Sequence, residues 1–399
     1  LSDLLFDDLR VLDVGSWIAA PVATTMLADF GADVLKIEAP GMGDGYRAFA
    51  ASVGAPDSDT NFTWQMDARN KRSMILNLKS EAGREVLNKL VMQSDVYVTN
   101  HSPALRSAWG LDYETLSAAN PRLIYASLTA YGEQGEERNR EAFDLVAYWS
   151  RSGLMDLVRA PESNPAAALP GMGDHPTAVT MYAGILTALL RRQKTGEGSF
   201  VHTSLLANGL WSASCIAQGA FADAQFQRYR HNLADMVTRV LYQTADNRWL
   251  QLTMVRTEEE LDALFAILGA PDLLLDSRFC DAANRLAHGR DLVELIRPLF
   301  LERTSDEWLR EFEAANVPVA LVGEVERLPQ DPQVLANNMV QPAEALGMPY
   351  VIRHPINVQG LPSAELSPAP DHGEHGAEVL GELGYAAEDI ERLRDEGVI

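Results

Sequence analysis

Residues 9–44 read LRVLDVGSWIAAPVATTMLADFGADVLKIEAPGMGD, and the first three quarters of that stretch decide the fold. Val11, Leu12 and Val14 form a short apolar run that Gly15-Ser16 ends. Pro21 then opens a helical stretch in which Ala23, Met26, Leu27 and Phe30 keep a 3.6-residue period, and Gly31 closes it. Val34 to Ile37 reads as the next strand. Strand, crossover helix and strand make a βαβ unit, the building block of a parallel sheet covered by helices.

The same alternation continues outward. Ser73 to Leu78 reads as a strand, Glu81 to Gln93 as a helix, and Val96 to Val98 as a strand. Leu116 to Ala119 ends a helix before Pro121, and Leu123 to Leu128 forms another strand. MYAGILTALLRR, from Met181, is strongly helical. The uncharged stretch VHTSLLANGLWSASCIAQGAFA, from Val201, reads as a buried helix; its serines, asparagine and glutamine argue against a membrane span. After Phe226 the texture changes. Val240-Leu241-Tyr242 and Trp249 to Leu252 flank Ala245-Asp246-Asn247, a hairpin signal. Helices follow at about 258–268 and 304–314, the second opened by a capping box of Thr304 and Glu307. The expected architecture is α/β: a large domain from 1–225, a smaller inserted α/β domain at 226–325, and a return at 326–399 that ends in the helix AAEDIERLRDEG.

A chain of 399 residues suits two to three domains. It carries 33 lysines and arginines against 56 aspartates and glutamates, a net charge of −23. Such a chain repels phosphate backbones and anionic lipid surfaces, so neither nucleic acid nor membrane is expected as a partner. Cys215 and Cys280 frame no disulfide scaffold and suit a reducing compartment, as buried apolar residues. LSDLLFDDLR at the start has acids where a signal peptide has bases, so a cytoplasmic protein is expected.

No GxxxxGK[ST], no GxGxxG after the first strand and no GxSxG occurs. His372 and His375 lie beside Asp371 and Glu374 in a proline-rich segment, which reads as a solvated loop rather than a metal site. More informative are Asp144, Asp156, Glu162 and Asp174, carried between two glycine signals, SGLM and GMGD. Asp174, just before HPTAVTMYAG, reads as a helix N-cap that could also function chemically. Glu162 sits between Pro161 and Pro165 among small residues, in the kind of loop that carries reactive groups.

The opening stretch, NKRSMILNLKSEAGREVL, Asn100 with Pro103, NPRLIYASLTAYG and above all GDHPTAVTMYAGILTALLRRQKTGEGSFVHTSL resemble the class III CoA-transferases, the crotonobetainyl- and formyl-CoA transferase group. The likeness runs from Leu9 to about Leu206 and returns in GEHGAEVLGELGY. The string from Tyr148 to Gly153 is similar to the branch acting on 2-hydroxy and aryl acids, such as the cinnamoyl-CoA:phenyllactate transferases. The resemblance implies a Rossmann-like large domain built from both chain ends, a small inserted domain, and two chains threaded as interlocked rings in a homodimer. It implies transfer of CoA from an acyl-CoA to a free carboxylic acid, without a metal. An enzyme carboxylate would become first a mixed anhydride and then a CoA thioester, dividing one hard exchange into easier acyl transfers.

By the same resemblance the nucleophile falls at Glu162, ten residues after Ser152 and twelve before Asp174, where the family carries an aspartate. Asp174 is the second catalytic carboxylate. Trp17, Ile18, Ala19, Leu76, Lys79 and Asn100 match CoA-binding positions. Arg106 stands two residues before the family's arginine position, and Arg72 offers further charge; for each cation a plain surface role stays open. Related racemases share the fold and this aspartate, and carry a GHD motif. Here Ala142-Phe143-Asp144 lacks the proton-carrying histidine, which argues against racemisation. A racemase or isomerase of the same fold, and a non-catalytic CoA-binding subunit, remain the alternatives.

Overall fold

Strands β1 (Arg10–Val14), β2 (Asp33–Glu38), β3 (Arg72–Ile75), β4 (Val96–Thr99), β5 (Ile124–Thr129) and β6 (Ser199–Ser204) form one sheet in the order β3-β2-β1-β4-β5-β6. Every pairing in it is parallel; Val11 faces Val34 on one side and Val96 on the other. The computed structural model that gives this picture describes residues 4–52, 54–160, 163–226 and 236–399. The strand order reverses between β1 and β4, so the loops leaving their carboxyl ends diverge and open a crevice there. Strand limits differ from the expected ones by one to three residues, mostly where apolar runs end in a polar partner of the ladder.

Helix α1 (Ala19–Asp29) follows β1 and is buried at all eleven positions. Its composition explains this: Ala, Val, Met and Leu fill the faces, and the Thr24 and Thr25 hydroxyls donate to the Pro21 carbonyl at 2.7 and 3.1 Å. Pro21 falls within the first turn, where a missing N–H costs nothing. Helix α2 (Phe62–Ala68) precedes β3, and α3 (Glu81–Met92), α4 (Pro103–Trp109) and α5 (Tyr113–Ala119) cross between later strands. The long helix α6 (Asp174–Thr195) packs along α1 and leads into β6.

The Val201 stretch corrects the sequence reading. It begins inside β6, where β-branched Val201 and Thr203 suit a strand, and Ser204 caps α7 (Leu205–Ser212) by accepting from the Ala207 N–H at 3.1 Å. The following helix, Ser214–Phe221, buries none of its residues, and Trp211 is 78% exposed. The cysteines depart from expectation as well: Cys215 and Cys280 are both free and exposed.

The chain divides into two compact units, Leu1–Val158 with Pro165–Cys215 and Gln333–Ile399, and Ile216–Pro332 with Arg159–Asn164. In the first, the C-terminal segment returns as helices Gly376–Glu382 and Ala387–Asp395, whose Val379, Leu380 and Leu393 join the core beside Leu12, Leu35 and Met74. His375 Nδ1 accepts from the Ser73 N–H at 3.3 Å, and His372 Nε2 bonds the Ala39 carbonyl at 3.0 Å, so this pair ties the return to the sheet. The second unit has its own core around Tyr242, Phe265, Phe300 and Trp308. There the hairpin Leu241–Gln243/Trp249–Gln251 gains a third antiparallel strand, Ala320–Leu321, and capping boxes open helices at Thr257 and Thr304. Among the described residues no helix is long and apolar enough to cross a membrane.

Candidate active site

At the mouth of the crevice the β1 loop and the β4 loop are locked together. The Ser16 N–H donates to Asn100 Oδ1 at 3.0 Å, and Asn100 Nδ2 donates back to the Ser16 carbonyl at 2.8 Å. The next residue, Trp17, holds a positive φ of 66°, a region that bulky side chains rarely enter and that costs on the order of 1–3 kcal/mol. Asp44 Oδ1 secures it by accepting the Trp17 N–H at 3.0 Å. Beneath the turn, Lys36 Nζ donates to the Gly15 carbonyl at 3.1 Å and pairs with Asp44 Oδ2 at 2.8 Å, all fully buried. Burial disfavours the Lys36 charge, but Asp13, Asp44 and Glu38 overcome it and hold its pKa well above the ordinary lysine value.

Two cavities meet at this turn. One, ≈ 480 Å³, is lined by Ser16 to Ala19, Asn100, Phe143 and Asp174; the other, ≈ 470 Å³, by Gly15 to Trp17, Leu76, Lys79 and Trp109. Ser16, Trp17 and His101 line both. Burial lowers the His101 pKa to about 4, with Arg106 adding to the effect, so this imidazole is neutral at physiological pH.

Asp174 is the first residue of α6, and the N-cap is Gly173, so the side chain does not cap the helix as the sequence reading had it. Asp144 supplies local order instead: its Oδ2 accepts the Gly173 N–H at 2.9 Å and its Oδ1 accepts the Leu145 N–H at 2.8 Å. Burial raises the Asp174 pKa to about 7, Asp144 and Asp67 push the same way, and only His175 opposes them. His175 is itself poised. Burial disfavours its cation, yet Asp67 Oδ1 at 3.2 Å from Nε2 and the Gly171 carbonyl at 3.0 Å from Nδ1 raise its pKa to about 9. A carboxylate with a pKa near 7 is more basic than an ordinary one while still ionised in useful amount at neutral pH, which suits both attack on an acyl carbon and proton transfer.

A family model described as CoA-transferase family III matches residues 6–376. The chain belongs to that family. Family III CoA-transferases act on acyl-CoA, and the protein is an enzyme of this class. It is 30% identical to (R)-2-hydroxy-4-methylpentanoate CoA-transferase of Clostridioides difficile, over 99% of this chain and 100% of that one. It is 31% identical to cinnamoyl-CoA:phenyllactate CoA-transferase of Clostridium sporogenes, over 98% and 96% of the two chains. The crystal structure of a CAIB/BAIF family protein from Brucella suis superposes with a TM-score of 0.84 at 26% identity, covering 96% of this chain and 100% of that one.

Of the residues expected at a family III site, Trp17, Ile18, Ala19, Asn100 and Asp174 share one cavity, and Leu76 and Lys79 line the adjoining one. Two expected cations are placed elsewhere. Arg106 is 4% exposed, with Nη2 2.6 Å from Glu133 Oε2 and the guanidinium near the Tyr125 ring, and it lines neither cavity. Arg72 opens β3 at the opposite end of the sheet, paired with Asp33, Glu378 and Glu382. Glu162 lies outside the described residues. Sequence reasoning missed His101 and the cations Arg138 and Arg140, which line the Asp174 cavity. Their signal was available: closely spaced arginines just ahead of Ala142-Phe143-Asp144 in an otherwise acidic chain. Among the described residues no group of three or more His, Cys, Asp or Glu side chains could hold a metal ion.

Proposed function

We propose that this family III enzyme moves CoA from an acyl-CoA to a free carboxylic acid through a covalent intermediate on Asp174. The observation that carries the reading is that Asp174 lines the same cavity as Trp17, Ile18, Ala19 and Asn100. CoA would reach that cavity from the one holding Lys79, crossing the Ser16–Trp17 turn that both share.

In the first step the Asp174 oxygen attacks the thioester carbon and CoA leaves as thiolate, giving a mixed anhydride. The thiolate then attacks the Asp174 acyl carbon and releases the donor acid, leaving Asp174 as a CoA thioester. The acceptor carboxylate attacks that thioester and expels CoA thiolate, which attacks the acceptor's acyl carbon and frees Asp174. Each step is an acyl transfer between neighbours held in one site. Glu162 is the competing acyl acceptor on the strength of its loop spacing, and Asp174 then assists it. The phenylalanine at position 143 and the absence of a histidine beside Asp144 favour transfer over racemisation.

A homodimer of interlocked chains and a cytoplasmic location belong to the same proposal; two free, exposed cysteines fit a reducing compartment. Incubation with a panel of acyl-CoAs and free acids, including 2-hydroxy-4-methylpentanoate and phenyllactate, followed by mass spectrometry of the thioesters, tests the reading. New thioesters of the added acids support transfer. Deuterium uptake at the α-carbon without new thioesters supports an isomerase instead. A stable monomer in sedimentation at micromolar concentration contradicts the interlocked dimer.

A further inference from the structure

Trp17 keeps a strained backbone, whose N–H is held by Asp44, and an indole bounded on two sides. The ring lies so close over Gly45 that a Cβ there would come within 2.9 Å of Cζ2. The ring also meets Phe143 edge-on, with centroids 4.9 Å apart at 76°. Yet Trp17 remains 37% exposed and Phe143 56% exposed, and both face the cavity that contains Asp174. Backbone strain that persists under such restraint marks places where a ligand is gripped. Two aromatic rings kept open to solvent in a cavity mark what kind of group fills it.

We infer that Trp17 and Phe143 form an aromatic wall that selects the acyl group, giving preference to carboxylic acids with a branched-aliphatic or aryl side chain. The inference rests on the proposed transfer reaction and adds its substrate class. Ile18, Val146 and Leu205 extend the apolar surface in the same cavity. Arg138 and Arg140 line the cavity too, but Glu141 shares that lining and Arg140 bonds Glu137, so a dicarboxylate is the competitor to exclude.

The test measures kcat/KM for 4-methylpentanoate, 3-phenylpropanoate, succinate and acetate as acceptors, with several acyl-CoA donors. It compares the wild-type enzyme with Trp17→Leu, Trp17→Phe and Phe143→Ala. Phe143 is exposed enough for its removal to leave folding intact. The wild-type enzyme should prefer the two apolar acids. Their advantage over acetate should fall at least about tenfold in Trp17→Leu and Phe143→Ala, and return largely in Trp17→Phe. Taking the ratio within one enzyme cancels any loss of CoA affinity. An equal loss for all acids, or a wild-type preference for succinate, overturns the wall while leaving the transfer reaction standing. No CoA movement to any acid in the wild-type enzyme overturns the reaction itself, and the wall with it.

Discussion

Ser16 and Asn100 exchange two hydrogen bonds, 3.0 and 2.8 Å long, across the point where the sheet's strand order reverses. One asparagine amide therefore fixes both lips of the crevice, using its donor and its acceptor on the same backbone unit. Asn100→Ala leaves the Ser16 N–H and carbonyl without these partners. It should lower stability by about 1–3 kcal/mol and weaken CoA binding. Denaturant melts and calorimetry with CoA check this; an unchanged CoA affinity contradicts the coupling of the two loops.

Activity should rise with pH through about 7, because Asp174 must be ionised to attack and its pKa sits there. At pH 6 kcat should be roughly a tenth of its plateau value. His175 opposes the upward shift of Asp174, so His175→Gln should move this acid limb to higher pH. A kcat profile that is flat from pH 5 to 8 removes Asp174 from the rate-determining chemistry.

The same shift has a cost in stability. Folding raises the Asp174 pKa from 3.8 to about 7, so the folded state binds the proton more tightly and loses stability as pH rises through that window. Asp174→Asn lacks the ionising group. It should be more stable than the wild-type protein by roughly 1–3 kcal/mol at pH 8, with the difference fading near pH 4. Thermal melts across this range measure it.

Arg106 behaves oppositely to a surface cation. Arg106→Ala removes the cation paired with Glu133, itself 11% exposed and left with the Ser127 hydroxyl at 2.6 Å, and should cost about 3–5 kcal/mol of stability. The folded fraction should bind CoA as the wild-type protein does. Lys79→Ala should do the reverse, leaving stability intact and weakening CoA binding in a salt-dependent way, since Lys79 is exposed at the second cavity. Paired melts and CoA titrations at two salt concentrations separate the two roles.

Local patterns in the chain reach only part of this. The βαβ opening is legible because Val11 to Val14, the α1 period and Gly31 are contiguous signals, and Asn100 and Asp174 stand in recognisable runs. The fate of Arg106 is set by Glu133, 27 residues away and brought near only by folding. Arg72 looks equally free until Asp33 and the C-terminal helix converge on it. Periodicity alone also reads the Val201 stretch as helix, whereas pairing with β5 draws its first residues into the sheet. Tertiary partners, which no window of sequence contains, decide all three.

The most direct test of a covalent carboxylate is to trap it. Enzyme turning over an acyl-CoA in the presence of hydroxylamine should acquire a hydroxamate on one peptide, resolved by mass spectrometry. The covalent pathway proposed here predicts modification of Asp174, abolished in Asp174→Ala and retained in Glu162→Ala. A hydroxamate on Glu162 in its place, or full transfer activity in Asp174→Ala, contradicts it.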